Sequence, residues 1–183
     1  MSSPTTGNIT EKRTAIAKLY ETHFERVTRY ILLRIGDEAE AEDLASEVFL
    51  RALRAVDSYK ERGAPMEAWL FKIAHNIVVD HLRRRSRRPT AVSIDEAFSL
   101  AGSDNPAEEV ERKQSLAEIQ AALSGLSEAQ RKVLALRFGA EMSAEEVATL
   151  LGKKAGAVRE MQSAAVKKLR GLLRSPAMDT TAR

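Results

Sequence analysis

The chain carries little of what covalent chemistry needs and much of what binds polyanions. Residues 75–89, HNIVVDHLRRRSRRP, hold five arginines, Arg83, Arg84, Arg85, Arg87 and Arg88, within six positions of a chain whose formal net charge is only +3. A guanidinium is a permanent cation with N–H donors in a planar fork, a shape that matches phosphate oxygens. Its possible partners are a membrane surface, an import receptor, the chain's own acidic segments or a nucleic acid. Just upstream, Lys72, Asn76, Val79 and Arg83 recur at intervals of four, three and four, so they share one face of a helix, away from Trp69, Ile73 and Ile77. A cation, an amide and another cation leading into an arginine cluster read as a nucleic-acid track, with a solvated polar face as the alternative left open by spacing. Asp80 stands four residues before Arg84, where pairing would neutralise part of the charge. His75 and His81 are six apart and lack a third ligand, so no metal is expected there.

A second constellation lies in SAEEVATLLGKKAGAVREMQSAAVKKLR, residues 143–170. Ala148, Gly152 and Val158 have the spacing of a helix-turn-helix, which needs a small residue where two helices touch, a glycine at a turn of positive φ, and a branched apolar residue where the second helix docks. Val147 and Leu151 fill the same small core. With a second helix beginning near Ala155, Lys153, Lys154, Arg159, Glu160 and Ser163 form its leading, exposed side. That edge would face a major groove, where an arginine reading guanine contributes about 1–3 kcal/mol of discrimination. Lys167, Lys168 and Arg170 lie further along, suited to phosphates or solvent. An ordinary helical hairpin is the competing reading.

Enzyme chemistry finds no foothold. GKKAG at 152–156 lacks the spacing of a phosphate loop, and neither a His/carboxylate metal cluster nor a nucleophile elbow occurs. No catalytic residue, metal or cofactor is expected. The chain has no cysteine, which excludes a disulfide framework or thiolate metal site and suits a reducing compartment. No apolar run reaches the roughly 18 residues of a membrane span, and the N-terminus lacks a leader pattern. A cytoplasmic chain without membrane contact is the expectation.

The elements that must position these groups are helical. A charged share of 30% with 5% aromatics in 183 residues favours an all-α fold. Residues 1–10 are small and polar and read as a disordered tail. From Glu11, Ile16, Leu19, Tyr20, Phe24, Val27, Ile31 and Leu32 recur at helical spacing up to Gly36. Asp37 then reads as an N-cap, with Leu44, Val48, Phe49, Leu53 and Val56 as the buried stripe of a second helix. That helix also carries Glu38, Glu40, Glu42, Asp43 and Glu47, either a solvated acidic face or a dock for a basic partner protein. A polar loop spans 57–64, and Pro65 opens a third helix that stops by Pro89. An acidic linker covers 90–107, a second helical block covers 108–174 and a tail covers 175–183. Ser127 with Gln130, and Ser143 with Glu146, have capping-box spacing. The fold class is all-α, two small helical domains, 11–89 and 108–174, on a flexible joint.

These residues carry a family resemblance. DEAEAEDLASEVFLRAL, followed by APMEAWLFKIAHNIVVDHLRRRSRR, resembles region 2 of the extracytoplasmic-function sigma factors, the smallest sigma subunits of bacterial RNA polymerase. LSEAQRKVLALRFGAEMSAEEVATLLGKKAGAVREMQSAAVKKLR resembles their region 4. The resemblance implies that Asp43, Leu44, Glu47, Phe49 and Leu50 dock on the β′ clamp helices of the core polymerase, with the β flap as a further contact. It implies that the loop 57–64, with Tyr59, Lys60 and Arg62, pockets a flipped base of the non-template strand. Lys72, Asn76, Arg83, Arg84, Arg85 and Arg87 would act near the −10 promoter element. Lys153, Lys154, Arg159, Glu160, Ser163 and Lys167 would read or hold the −35 element as duplex. An anti-sigma protein, which restrains many relatives, is a further partner that the resemblance raises. Three departures stand out: Ser46 where glutamine is usual in the docking helix, Lys154 where a serine or threonine usually caps the recognition helix, and Glu160–Met161 in place of a basic or hydroxyl pair. A stand-alone helix-turn-helix regulator, dimeric on duplex DNA, is the rival function.

Overall fold

A computed structural model describes residues 5–60, 65–87 and 106–174. In chain order the helices are α1 (Thr5–Ile35), α2 (Glu38–Ala55), a 3-10 turn at Val56–Ser58, and α3 (Met66–Arg87). The second block has α4 (Pro106–Ser124), α5 (Glu128–Leu134), a π turn at Ala135–Gly139, α6 (Ala144–Leu151) and α7 (Ala155–Arg174). Among the described residues there is no strand.

Local chemistry sets most of these boundaries. α1 ends where Gly36 takes a φ of 82°, a left-handed conformation open to glycine, while its N–H reaches Leu32 O at 2.9 Å. The Arg85 guanidinium caps the exposed end of α1 through Ile35 O at 3.4 Å. Asp37 follows as the N-cap of α2, accepting from Glu40 N at 2.8 Å. Both expected capping boxes are complete: Ser127 and Gln130 exchange bonds at the start of α5, and Ser143 and Glu146 do so at the start of α6. The Ser143 bonds also hold the Glu146 carboxyl below the usual carboxylate range.

The first domain packs α1, α2 and α3 around Val27, Tyr30, Ile31, Val48, Leu70, Phe71 and Val78, all fully buried. Alanines at 41, 45 and 52 of α2 let the helices approach closely, and burying each larger apolar side chain contributes about 1.5–3 kcal/mol. In the second domain Val133, Leu136, Val147 and Val158 are fully buried. These residues are continuous with the first-domain core rather than separate from it. A smaller cluster of Leu123, Leu126, Leu134 and Ala165 is closed by Leu33, which projects from α1.

Four details differ from the sequence reading. Residues 5–10, expected in a disordered tail, are the first turns of α1, because extending an existing helix needs no new nucleus. Pro65 is the cap rather than the first helical residue: its carbonyl accepts Trp69 N–H at 3.3 Å and α3 begins at Met66. Asp80 pairs with Arg83 at 3.1 Å, not with Arg84. Tyr59, placed in a DNA-facing loop, is 9% exposed, its ring stacked 5.2 Å from that of Trp69. The short 3-10 turn drives that ring inward, where its apolar area is better covered than in water. Residues 1–4, Arg62, Arg88 and the linker 90–105 lie outside the described residues.

Candidate nucleic-acid interface

Three surfaces carry the site residues. On α3, Lys72, Asn76, Val79 and Arg83 are all exposed along one face, as their spacing requires, while Leu70, Ile77 and Val78 on other faces are buried. The arginines that follow are not equivalent. Arg83 is tied to Asp80 and Arg85 to the end of α1, whereas among the described residues no hydrogen bond or ion pair engages Arg84 or Arg87. Two guanidinium groups are thus available for an external anion without breaking an internal contact. Lys60 is exposed at the edge of the neighbouring loop, while Tyr59 offers its carbonyl to Lys12 Nζ at 3.0 Å.

The two histidines of α3 have internal partners instead of a metal. Tyr30 OH lies 3.1 Å from His75 Nδ1, and His81 Nε2 lies 3.4 Å from Glu40. Burial, followed by the charges of Lys132 and Arg34, pushes the His75 imidazole down to about 4, so it is neutral at physiological pH. Burial also raises the Tyr30 phenol well above its ordinary value. Among the described residues no three His, Asp or Glu side chains are grouped to hold a metal ion.

On α6 and α7 the helix-turn-helix is complete. Gly152 adopts φ 62°, Ala148 is 5% exposed and Val158 is fully buried. Lys154 has no side-chain oxygen with which to cap α7, yet its carbonyl accepts Val158 N–H at 3.2 Å and the helix still starts at Ala155. Lys153, Lys154, Arg159, Glu160, Ser163 and Lys167 are all exposed. Beside them runs a groove of about 820 Å³ whose lining includes Arg137, Arg159, Gln162, Ser163, Lys167 and Arg170, four cations with no acid. Arg137 was not singled out from sequence. It is fixed there by bonds to Gln162 Oε1, at 2.8 Å, and to the Met142 carbonyl. Lone arginines are common, so nothing in LALRFG marks it; the signal is the 25-residue separation from Gln162, which only folding closes. Glu145, on α6, forms an ion pair with Arg159.

The third surface belongs to α2. Asp43 and Ser46 are exposed, Leu50 is 48% exposed and Glu47 bonds Arg51 at 2.6 Å, an interaction that lowers the Glu47 pKa. Leu44 is half-buried and Phe49 is core, its ring packed on Tyr20 and Phe24, so neither offers the full face expected from sequence. Tyr20 and Leu53, 47% and 43% exposed, extend the apolar part instead. Both belong to stripes that read as core, and a helical wheel alone cannot show where a neighbouring helix stops covering them.

An all-helical chain with one exposed cationic helix face, a helix-turn-helix and a separate acidic-apolar patch defines a multi-surface DNA-binding class. The family patterns narrow it: residues 19–88 match Sigma-70 region 2 and residues 122–171 match Sigma-70 region 4. The chain belongs to the extracytoplasmic-function sigma factors of the sigma-70 family. It is 35% identical over 159 residues to the ECF RNA polymerase sigma factor BldN of Streptomyces coelicolor, covering 87% of this chain and 60% of BldN. It is 38% identical over 152 residues to the sigma factor ShbA of Streptomyces griseus, covering 80% of each chain. The fold is that of CnrH in complex with the cytosolic domain of CnrY (TM-score 0.65, 24% identity, covering 90% of this chain and 94% of CnrH). It is equally that of RpoE from Bartonella quintana bound to the anti-sigma factor NepR (TM-score 0.64, 22% identity, covering 87% and 96%).

Proposed function

We propose that the chain directs core RNA polymerase to promoters, reading a −35 element with α7 and a −10 element with α3 and opening the duplex there. The observation that carries this reading is the simultaneous exposure of the α3 stripe and the α7 leading edge on a chain matching both sigma regions. Asn76 and Lys72 act at the −10 strand, and Arg84 and Arg87 hold phosphates without reading bases. Lys60 and Arg62 flank the pocket for an extruded base, whose flipping costs a few kcal/mol that protein contacts must offset. With its ring buried against Trp69, Tyr59 supports that loop rather than stacking on the base. Asp43, Glu47 and Leu50, extended by Tyr20 and Leu53, dock on the β′ clamp helices, and the second domain meets the β flap. Catalysis belongs to the polymerase; this subunit contributes recognition in the cytoplasm. An anti-sigma protein is a further partner proposed from family membership.

Purified protein mixed with core polymerase tests the reading. Co-elution and promoter-dependent transcription are expected, and loss of both would overturn it. Run-off transcription on genomic DNA with the reconstituted holoenzyme then supplies the promoter sequence.

A further inference from the structure

The two domains are docked on one another through a small set of residues that none of the promoter or polymerase surfaces uses. Leu33 of α1 inserts into the apolar cluster of Leu123, Leu126 and Leu134 on the second domain. Gly139, on the π turn, lies so close to α1 that a Cβ there would meet Tyr30 Cα at 2.9 Å and Tyr30 N at 3.1 Å. Around this apolar contact runs a ring of charge. Arg26 bonds Glu67 at 2.8 Å within its own domain and reaches across to Ala140 O with two nitrogens, at 2.6 and 3.1 Å. Arg29 pairs with Glu141 at 3.0 Å, and Gln120 donates to Leu32 O at 3.2 Å. Arg34, its side chain only 2% exposed, pairs with Glu128 at 2.5 Å.

Energetically this is a latch rather than a permanent weld. Glu128 and Glu141 are more than half exposed, so their ion pairs contribute little each and weaken with salt. The apolar part is one leucine and a glycine contact, far less than an obligate interface uses. Docking also has a consequence for binding. It holds the α3 stripe and the α7 edge at one fixed separation, and two linked sites gain avidity only when geometry lets both engage together. It covers the Leu123–Leu126–Leu134 cleft with α1, so no other apolar segment can occupy that cleft until α1 leaves.

We propose that α1 is an intramolecular occupant of the second-domain cleft, closing the free protein into a self-inhibited form that undocks when the two domains engage polymerase. The polymerase half of this statement rests on the sigma-factor reading. The docking half does not.

The absence of native cysteine allows a clean distance test on the full chain. Spin labels at S46C and S124C, both exposed on different domains, should give one narrow distance distribution in the free protein. Gly139→Val should broaden and lengthen it while the helical circular dichroism is unchanged. Should Gly139→Val fail to fold, Arg34→Glu provides the same opening, and the exchange Arg34→Glu with Glu128→Arg should restore the narrow distribution. A broad distribution in the starting protein, or no response to either variant, would overturn the docking. Unlabelled Gly139→Val or Arg34→Glu should bind core polymerase severalfold more tightly, because the apparent affinity is reduced by the fraction of molecules that are closed. Equal or weaker binding by an open variant overturns the self-inhibition alone. No binding by any form overturns the sigma-factor reading and the gating with it, and leaves the measured docking standing.

Discussion

Arg159 sits on the leading edge of the recognition helix, yet in the free protein its guanidinium is already engaged by Glu145 on the preceding helix. Promoter binding would have to take Arg159 from that carboxylate, so Glu145 competes with DNA. The two side chains are 59% and 63% exposed, which places the pair in the class of surface ion pairs contributing about 0.2–1 kcal/mol. Releasing it by Glu145→Gln should therefore tighten promoter binding about 1.4- to 5-fold. Removing one negative charge close to the phosphates acts in the same direction, and its effect is confined to roughly 8 Å at physiological ionic strength. Arg159→Ala should do the opposite: if the guanidinium reads a base, about 1–3 kcal/mol is lost, or about 5- to 150-fold. The assay is equilibrium binding of reconstituted holoenzyme to a promoter recovered by genomic run-off. An unchanged or weakened affinity for Glu145→Gln, alongside a large loss for Arg159→Ala, would mean that Glu145 orients the arginine for DNA and would refute the competition argument.

Other expectations follow from single features. Glu47→Lys should weaken binding to core polymerase while leaving the far-ultraviolet spectrum intact; unaltered affinity would remove α2 from the docking surface. Asn76→Ala should reduce promoter opening, read by permanganate reactivity, more than closed-complex binding, and equal losses would make Asn76 structural. Gly152→Ala should cost about 1 kcal/mol in chemical denaturation, because the strain of a left-handed residue is the whole effect where nothing lies within 4 Å of the new Cβ; a much larger loss would point to a clash. For His75 the folded pKa is about 4 against 6.5 unperturbed, so between these values the unfolded chain binds more protons. Stability should therefore be full above about pH 6.5 and decline toward pH 4, by on the order of 1 kcal/mol once solvent screening of this part-exposed ring is allowed for. His75→Gln should flatten that decline in urea titrations at successive pH values, and an identical profile would exclude His75 as its source.

Features controlled by neighbours three or four residues away were legible without coordinates. The two capping boxes, the Asp37 cap, the left-handed Gly152 and the exposed Lys72–Asn76–Val79–Arg83 stripe each depend on helical spacing or on one residue's conformational range. The family membership was likewise readable in two contiguous motifs.

Tertiary packing decided the rest, because the competing partners are separated by tens of residues. Tyr59 turned inward to Trp69, Asp80 chose Arg83 over Arg84, and Phe49 joined Tyr20 and Phe24 instead of facing solvent. Arg137 became part of the basic groove only when Gln162 came beside it. The sequence determined an all-helical, two-motif DNA-reading chain, since periodicity and caps are local. The seating of Leu33 in the second domain and the bridge from Arg26 to Ala140, 114 residues away, came only from folding, which alone specifies which surfaces meet and which stay open for DNA.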